Sequence, residues 1–490
     1  MEKPKSIKQN MFMSVILTTA NFLFPLITYS YVARILKADG TGKVAFVQSV
    51  LAYFTYFAAL GIPGYGVREC AKERDNQEKL SKIVHELFII NIITTVLSYV
   101  ALVIVIVCIK RFQTYSALFM VMSFGIILQT LGMEWLYKSL EKYTYITIRS
   151  IFFKSISVIL TFLLIKTEDD YIKYGALTIF AAGASNIMNF IHVKKFINLK
   201  KQQHYDFKVH LKPIMVFFMS TIIITVYAQF DTVMLGLMKG DREVGIYNAA
   251  VKMKTIVLSV STAITSVLIP RMSQYVKRGD NEQFRVLLMK SLRVCCVTLF
   301  PLTFFVIFNT KDIITFVCGT EYLSSTLTLI ILMLCVLALM LTNILGNQIL
   351  IPKNDEKRYS ISVFIGMWIN LSLNMLLIPK YASAGAAVAT LVTEVFNVYW
   401  MGRGCREEII YMIKNICLKK YVLSLFGAVS VHIVIGLILC ELSLIIRLFI
   451  NVFTMFGVYY LFLYIVEEPV IREGVLVIRK LVQDRCRMKH

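Results

Sequence analysis

Fourteen long apolar stretches run through the chain, and the lysines and arginines between them collect in every second connection. Each stretch approaches the roughly 20 apolar residues that an α-helix needs to cross the hydrocarbon core of a bilayer. A backbone in that core must satisfy its own hydrogen bonds, so the pattern predicts an all-α integral membrane protein with about 14 transmembrane helices. The span centres fall near Leu23, Phe54, Val96, Ile126, Val158 and Phe180, then near Ile224, Val260, Val306, Leu334, Leu371 and Val392, with a last pair near Val431 and Phe456.

The basic residues set a direction. With the amino terminus inside, the inner connections carry Arg68, Lys72, Arg74, Lys79 and Lys82, then Lys138, Lys142 and Arg149, then Lys194, Lys195, Lys200, Lys201, Lys208 and Lys212. The same side collects Arg271 to Arg293, Lys353 to Arg358, Arg403 to Lys420 and both tails. An excess of Lys and Arg near span ends marks the cytoplasmic side, so both termini are expected to be cytoplasmic. The net charge of +22 sits mostly in these short loops, where topology and anionic membrane lipids account for it. No nucleic-acid partner is expected. A composition of 57% hydrophobic and 17% charged residues, with mean hydropathy +0.69, leaves no soluble core to look for.

The ten cysteines show no CxxC or metal spacing. Cys108, Cys335 and Cys440 fall in spans, Cys70, Cys405 and Cys486 lie on the inner side, and free thiols are expected. The first apolar stretch lacks a small-residue cleavage site and reads as a retained helix. His85, His192, His204 and His210 lie at or near the inner face without metal spacing and read as interfacial. Gly40-Thr41-Gly42-Lys43 and Gly61 to Gly66 follow no strand, match no phosphate loop and read as turns. No Ser-His-Asp or paired-carboxylate arrangement is defensible as catalytic, so neither an enzyme, a resident metal nor a cofactor is expected.

Two lobes are expected, residues 1–200 with six helices and 201–415 with six more, followed by two helices and a basic tail over 416–490. The segment Lys37-Ala38-Asp39-Gly40 closes span one, as Lys239-Gly240-Asp241 closes span seven, and Gly42 and Gly245 follow soon after each. Two facing bundles with a site near mid-membrane form a familiar transporter plan.

Function is best sought in ionisable groups within the spans, because a charge at the helix centre costs roughly 2.5–3.5 kcal/mol on insertion scales. Lys154 shares one helical face with Thr147, Ser150, Ser157 and Thr161. Asn248, Lys252, Thr255, Ser259, Thr262 and Ser266 repeat that stripe in span eight, while Lys254 points about 200° away from Lys252. Span twelve supplies Thr390, Thr393, Glu394 and Asn397, and span seven carries Asp231 near Tyr227. Hydroxyls and amides alone are commonly packing groups in membrane bundles. The two lysines need acidic partners, such as Asp231 or Glu394, or a wet cavity holding an anion. Arg34 and Glu134 stand at span ends, where snorkelling accounts for them.

In its motifs the chain resembles the oligosaccharide flippases of the polysaccharide-biosynthesis (Wzx-like) type, in the superfamily of the MATE exporters and the lipid II flippase MurJ. The resemblance rests on Pro25 with Tyr31 to Leu36 and Gly40-Thr41-Gly42, on Gly61 to Glu69, and on Glu134-Trp135-Leu136-Tyr137 with Glu141 and Tyr143. It continues through Asp231 to Gly236, Val244 to Ala250 with Lys252, and Gly385 to Thr390 with Glu394. Glu134-Trp135 stands where the family usually has Asp-Trp, and Lys138-Ser139 where it has Gln-Gly.

The resemblance implies twelve core helices in two lobes, two additional helices, alternating access in a bacterial cytoplasmic membrane, and a polyprenyl-diphosphate-linked oligosaccharide as substrate. Polysaccharide polymerase and assembly proteins are the implied partners besides membrane lipids. Lys154 and Lys252, with Arg34 as a third, would replace part of the diphosphate's hydration. Ser157, Thr161, Asn248 and Asn397 would contact sugars, and Asp231 and Glu394 would exchange salt bridges or couple H+ or Na+. The alternatives are a MATE-like multidrug exporter, which the lysine stripes disfavour, and a membrane glycosyltransferase or polymerase, which would carry a long outer loop.

Overall fold

The computed structural model describes residues 7–200, 204–439 and 441–476. Lys201, Cys440, Cys486 and the outermost tail residues lie outside the described residues, as does the side chain of Ser266. The chain forms two compact units, Met1–Asn248 and Ala249–His490.

The first unit holds α1 (Ile7–Ala59), α2 (Ile62–Lys72), α3 (Gln77–Cys108), α4 (Lys110–Gln113), α5 (Ser116–Gly132), α6 (Glu134–Ser139), α7 (Tyr143–Leu164), α8 (Tyr171–Ile179), α9 (Ser185–His192) and α10 (Phe207–Met238). The unit boundary falls inside α11 (Asp241–Arg278). The second unit continues with α12 (Asn281–Phe308), α13 (Thr310–Val317), α14 (Thr326–Asn343), α15 (Glu356–Gly404), α16 (Arg406–Asn415), α17 (Leu418–Ile438) and α18 (Leu444–Ile465).

Eleven helical segments among the described residues are long and apolar enough to cross a membrane. Two of them hold a break. The 53 residues of α1 would run about 80 Å at 1.5 Å per residue, over twice a hydrocarbon core of about 30 Å. Lys37, at φ 56°, divides that helix. Ala382, at φ 47° and three residues after Pro379, divides α15 in the same way. With these divisions and the 32-residue α10, the architecture accommodates fourteen crossings.

The polarity of the packing is that of a protein dissolved in lipid. On α3 the apolar side chains of Ile93, Val96, Leu97, Val100, Val103 and Ile104 are exposed, while Asn91, Thr94, Thr95 and Ser98 are buried. Their spacing puts the two sets on opposite faces of one helix. The buried hydroxyls and amide bridge to neighbouring helices: Thr94 Oγ1 donates to Ala58 O at 2.6 Å and Ser98 Oγ to Phe54 O at 2.7 Å. Such bonds hold helices together where lipid offers no hydrophobic driving force between them.

Within the first unit α1 packs against α3, α5, α7 and α10. The start of α10 docks on the α1–α2 turn, where Gly61 lies so close that a Cβ would stand 2.6 Å from Ile214 O. His210, read from sequence as interfacial, is 5% exposed there. Its ring nitrogens face Tyr65 Oη and Glu86 Oε2, both at 2.8 Å, and the backbone N–H of Asp206 donates to Glu86 Oε1 at 2.6 Å.

Ion pairs join connections that the sequence assigns to one side. Arg74 pairs with Glu141, and Lys37 with Glu168, in the first unit. Lys353 pairs with Glu408, and Arg447 with Asp312, in the second. In that unit α14 packs on α12 and α15, while α17 and α18 form a hairpin against α12. The eight described cysteines are free.

Candidate functional site

The first unit holds a half-open cavity of about 480 Å³, within the range of ligand sites. Its lining comes from six places in the sequence, and two local departures from α-helical geometry shape it. Between α5 and α6, Met133 adopts φ 40°, a left-handed conformation costly for a residue with a Cβ. This break redirects the chain so that Glu134, Trp135 and Lys138 line the cavity. Asn189 secures it by donating Nδ2 to Gly132 O at 2.7 Å. Across from it, Phe180–Ala184 is wound as a π-helix, a local widening frequent at functional sites, and Ala182 and Gly183 form part of the wall.

The cavity is rich in amides. Gln48 of α1, Asn91 of α3, Gln129 of α5 and Asn186 of α9 all line it. Asn91 donates Nδ2 to Ala58 O at 2.8 Å, and Asn186 Oδ1 accepts from Arg149 Nη1 at 3.3 Å. The Glu134 carboxylate meets Lys138 Nζ at 3.1 Å, one helical turn along, so the only charged pair among the lining residues balances itself. Tyr56 supplies the exposed aromatic surface, whereas Trp135 is only 5% exposed and packs its ring on Gly66, so that it reaches the wall with an edge.

Arg149, counted from sequence among the inner-loop charges, is 6% exposed and lies inside α7. Its guanidinium also donates to Ser185 O. Hydropathy could not reveal this, because the charge lies near a span end and its acceptors belong to another helix. Gln48, Gln129 and Asn186 likewise carried no sequence signal; only Glu134-Trp135 stood out, as a motif.

The residues singled out from sequence are dispersed. In the first unit Lys154 is 8% exposed and donates to Asn21 Oδ1. Ser157 Oγ donates to Leu177 O at 3.0 Å and Thr161 Oγ1 to Ser157 O at 2.7 Å. Ser157 thereby bridges α7 to α8, while Thr161 bonds back within α7. Arg34 is exposed on α1 and Asn248 is half-buried on α11. Asp231 is buried and accepts from Tyr247 Oη at 2.6 Å.

In the second unit Lys252 is half-buried. Glu394, 3% exposed, accepts from Thr342 Oγ1 at 3.2 Å. Asn397 Oδ1 accepts from Ser362 Oγ at 3.0 Å. Among the described residues no group of three or more His, Cys, Asp or Glu side chains could hold a metal ion.

Residues 7–276 match the family model described as Polysaccharide biosynthesis protein, and residues 217–376 match that described as MatE. A putative O-antigen transporter of Escherichia coli (strain K12) is 22% identical over 392 residues, covering 79% of this chain and 94% of that protein. A putative O-antigen transporter of Shigella dysenteriae is 25% identical over 407 residues, covering 81% and 99%. Among solved structures, the lipid II flippase MurJ in an inward closed conformation superposes with a TM-score of 0.69 at 14% identity, covering 94% of this chain and 100% of that one.

Proposed function

Because the chain belongs to the polysaccharide biosynthesis protein family, we propose that it is a flippase moving polyprenyl-diphosphate-linked oligosaccharides from the inner to the outer leaflet for cell-surface polysaccharide assembly. It is a multi-pass membrane transporter and performs no covalent chemistry. The observation that carries this reading is an amide-lined cavity of about 480 Å³ inside a helical bundle whose lipid-facing surfaces are apolar. The similarity to O-antigen transporters over nearly their whole length supports it.

The membrane is the bacterial cytoplasmic membrane, with both termini inside, which the distribution of Lys and Arg supports. Polysaccharide polymerase and assembly proteins are the partners to which the moved lipid is handed. Lys154, Lys252 and Arg34 meet the diphosphate, whose negative charge must be compensated as it leaves water. Ser157, Thr161, Asn248 and Asn397 serve the sugars. Asp231 and Glu394, buried carboxylates held by hydroxyl donors, couple transport to a proton or sodium gradient.

The test is transbilayer movement of a polyprenyl-diphosphate oligosaccharide in proteoliposomes, comparing the parent with Lys154→Ala and Lys252→Ala at matched insertion. Movement by the parent, lost in either variant, supports both the function and its cationic groups. Export of a cationic dye with no lipid movement would turn the reading to the drug-exporter function suggested by the MatE match.

A further inference from the structure

His210 is a buried titratable group that the transport reading leaves unused, and it stands between a phenol and a carboxylate. Tyr65 Oη of α2 faces its Nδ1 and Glu86 Oε2 of α3 faces its Nε2, each at 2.8 Å. We propose that this Tyr65–His210–Glu86 chain is a proton-operated clamp at the inner end of α10, closed when the ring carries two protons and loosened when it carries one.

The placement of the donors restricts where protons sit. Glu86 is 2% exposed, and its Oε1 accepts from the backbone N–H of Asp206 at 2.6 Å while its Oε2 faces the ring. A carboxylate only accepts, so the proton on Nε2 is committed to it in either charge state of the ring. Nδ1 accepts from the Tyr65 hydroxyl when the ring is neutral and donates to it when the ring is charged. A second proton therefore needs only a turn of that hydroxyl, with no heavy atom moved.

What changes is the charge. With a neutral ring, a buried carboxylate is held by neutral donors alone. With a charged ring it becomes half of an ion pair, and the bond at Nε2 becomes charge-assisted, roughly twice as strong as a neutral one. Histidine is the side chain whose ordinary titration falls between about pH 5 and 8.

The other ionisable groups around the ring are engaged elsewhere or point to solvent. On α2, Arg68 lies over the rings of Tyr65 and Phe217 at 5.6 and 5.2 Å, and Glu69 pairs with Lys72 at 2.9 Å. On α3, His85 Nδ1 faces Tyr205 Oη at 3.4 Å. On α10 itself Lys208 and Lys212 are exposed, and Asp206 meets the chain through its backbone.

The mechanical setting suits a clamp. Asp206 is the N-terminal cap residue of α10, so the chain grips the first turn of that helix. One turn further Ile214 is fully buried, and there α10 meets Gly61 backbone to backbone. A contact without side chains serves as a pivot about which the start of α10 swings when the clamp loosens. Acidification of the inner side holds α10 against α2 and α3; the consequence for transport, a slower cycle, rests on the orientation and flippase reading above.

The experiment is hydrogen exchange of the full-length parent in detergent, with each amide corrected for its intrinsic pH dependence. Protection over residues 207–214 is expected to fall about fivefold between about pH 5.5 and 7.5, the loss when a charge-assisted bond becomes neutral, while α17 stays constant. Glu86→Gln and His210→Gln are each expected to flatten that profile. Protection that is independent of pH in the parent, or a dependence that survives both substitutions, overturns the clamp. Because a flat parent profile suffices, a variant that fails to fold does not shield it.

In proteoliposomes, lipid movement by the parent is expected to slow about fivefold over the same change in pH, and Glu86→Gln is expected to lose that response. Equal responses in parent and variant overturn the clamp as a control on transport. The two readings separate: pH-dependent protection in a protein that moves no lipid removes the flippase and keeps the clamp. Lipid movement with pH-independent protection does the reverse.

Discussion

Gly42 and Gly245 face each other where α11 begins its crossing of α1, and neither position has room for a Cβ. One on Gly42 would lie 1.8 Å from Asp241 O and 2.9 Å from Gly245 N. One on Gly245 would lie 1.9 Å from Ala38 O. The repeated sequence pattern around these glycines is thus two halves of one backbone-to-backbone contact, reinforced by Arg111 and Tyr115 on Asp241. Overpacking a core costs typically about 1–3 kcal/mol, and a clash with backbone cannot be relieved by rotating a side chain. Gly42→Ala and Gly245→Ala should each lower the unfolding temperature in detergent and the yield of monodisperse protein. Gly457→Ala, with nothing within 4 Å of its Cβ, should leave both unchanged.

The Tyr65–His210–Glu86 chain ties the start of α10 to α2 and α3 through bonds of 2.8 Å. Removing one member of a buried, hydrogen-bonded pair costs about 3–5 kcal/mol when the other is left charged. His210→Phe should therefore destabilise the protein more than Glu86→Gln does. In a double-mutant cycle of thermal unfolding the two should be strongly non-additive, whereas additive losses would mean the contacts act independently.

Arg149 holds α9 to α7 through Ser185 O and Asn186. Arg149→Met should cost about 1–3 kcal/mol, the penalty for leaving buried acceptors unmade. Because Asn186 lines the cavity, the same variant should also slow lipid movement in proteoliposomes. Arg149→Lys should recover part of the stability but less of the transport, since an ammonium lacks the planar fork that reaches two acceptors at once.

Sidedness is open to a direct chemical test. In a cysteine-free background, Asp75→Cys should be shielded from a membrane-impermeant maleimide in intact cells and react after permeabilisation, while Asp169→Cys should react at once. The side chain of Asp75 is 93% exposed, and Asp169 is exposed as well, so folding does not mask either. The opposite pattern would invert the assigned orientation.

Much of the architecture was legible in the residues. The spans around Val96, Val306 and Val431 fall in α3, α12 and α17, because lipid is a uniform apolar solvent and a crossing helix answers to it locally, within some 20 residues. The breaks at Lys37 and Ala382 coincide with the places where the pattern of spans required a turn. Arg149 shows where this legibility stops: its position near a span end suggested a loop, and only the acceptors on α9 draw it inside.

The sequence by itself determined the class of the protein, its helices and its family, since hydropathy, basic-loop asymmetry and short motifs are properties of neighbouring residues. Tertiary structure alone decided the cavity. Gln48, Asn91, Gln129, Glu134 and Asn186 meet there only because one left-handed residue at Met133 and one π-turn at Phe180–Ala184 redirect the helices that carry them. Amides have no periodicity of their own, and their convergence is set by helix packing between segments more than a hundred residues apart.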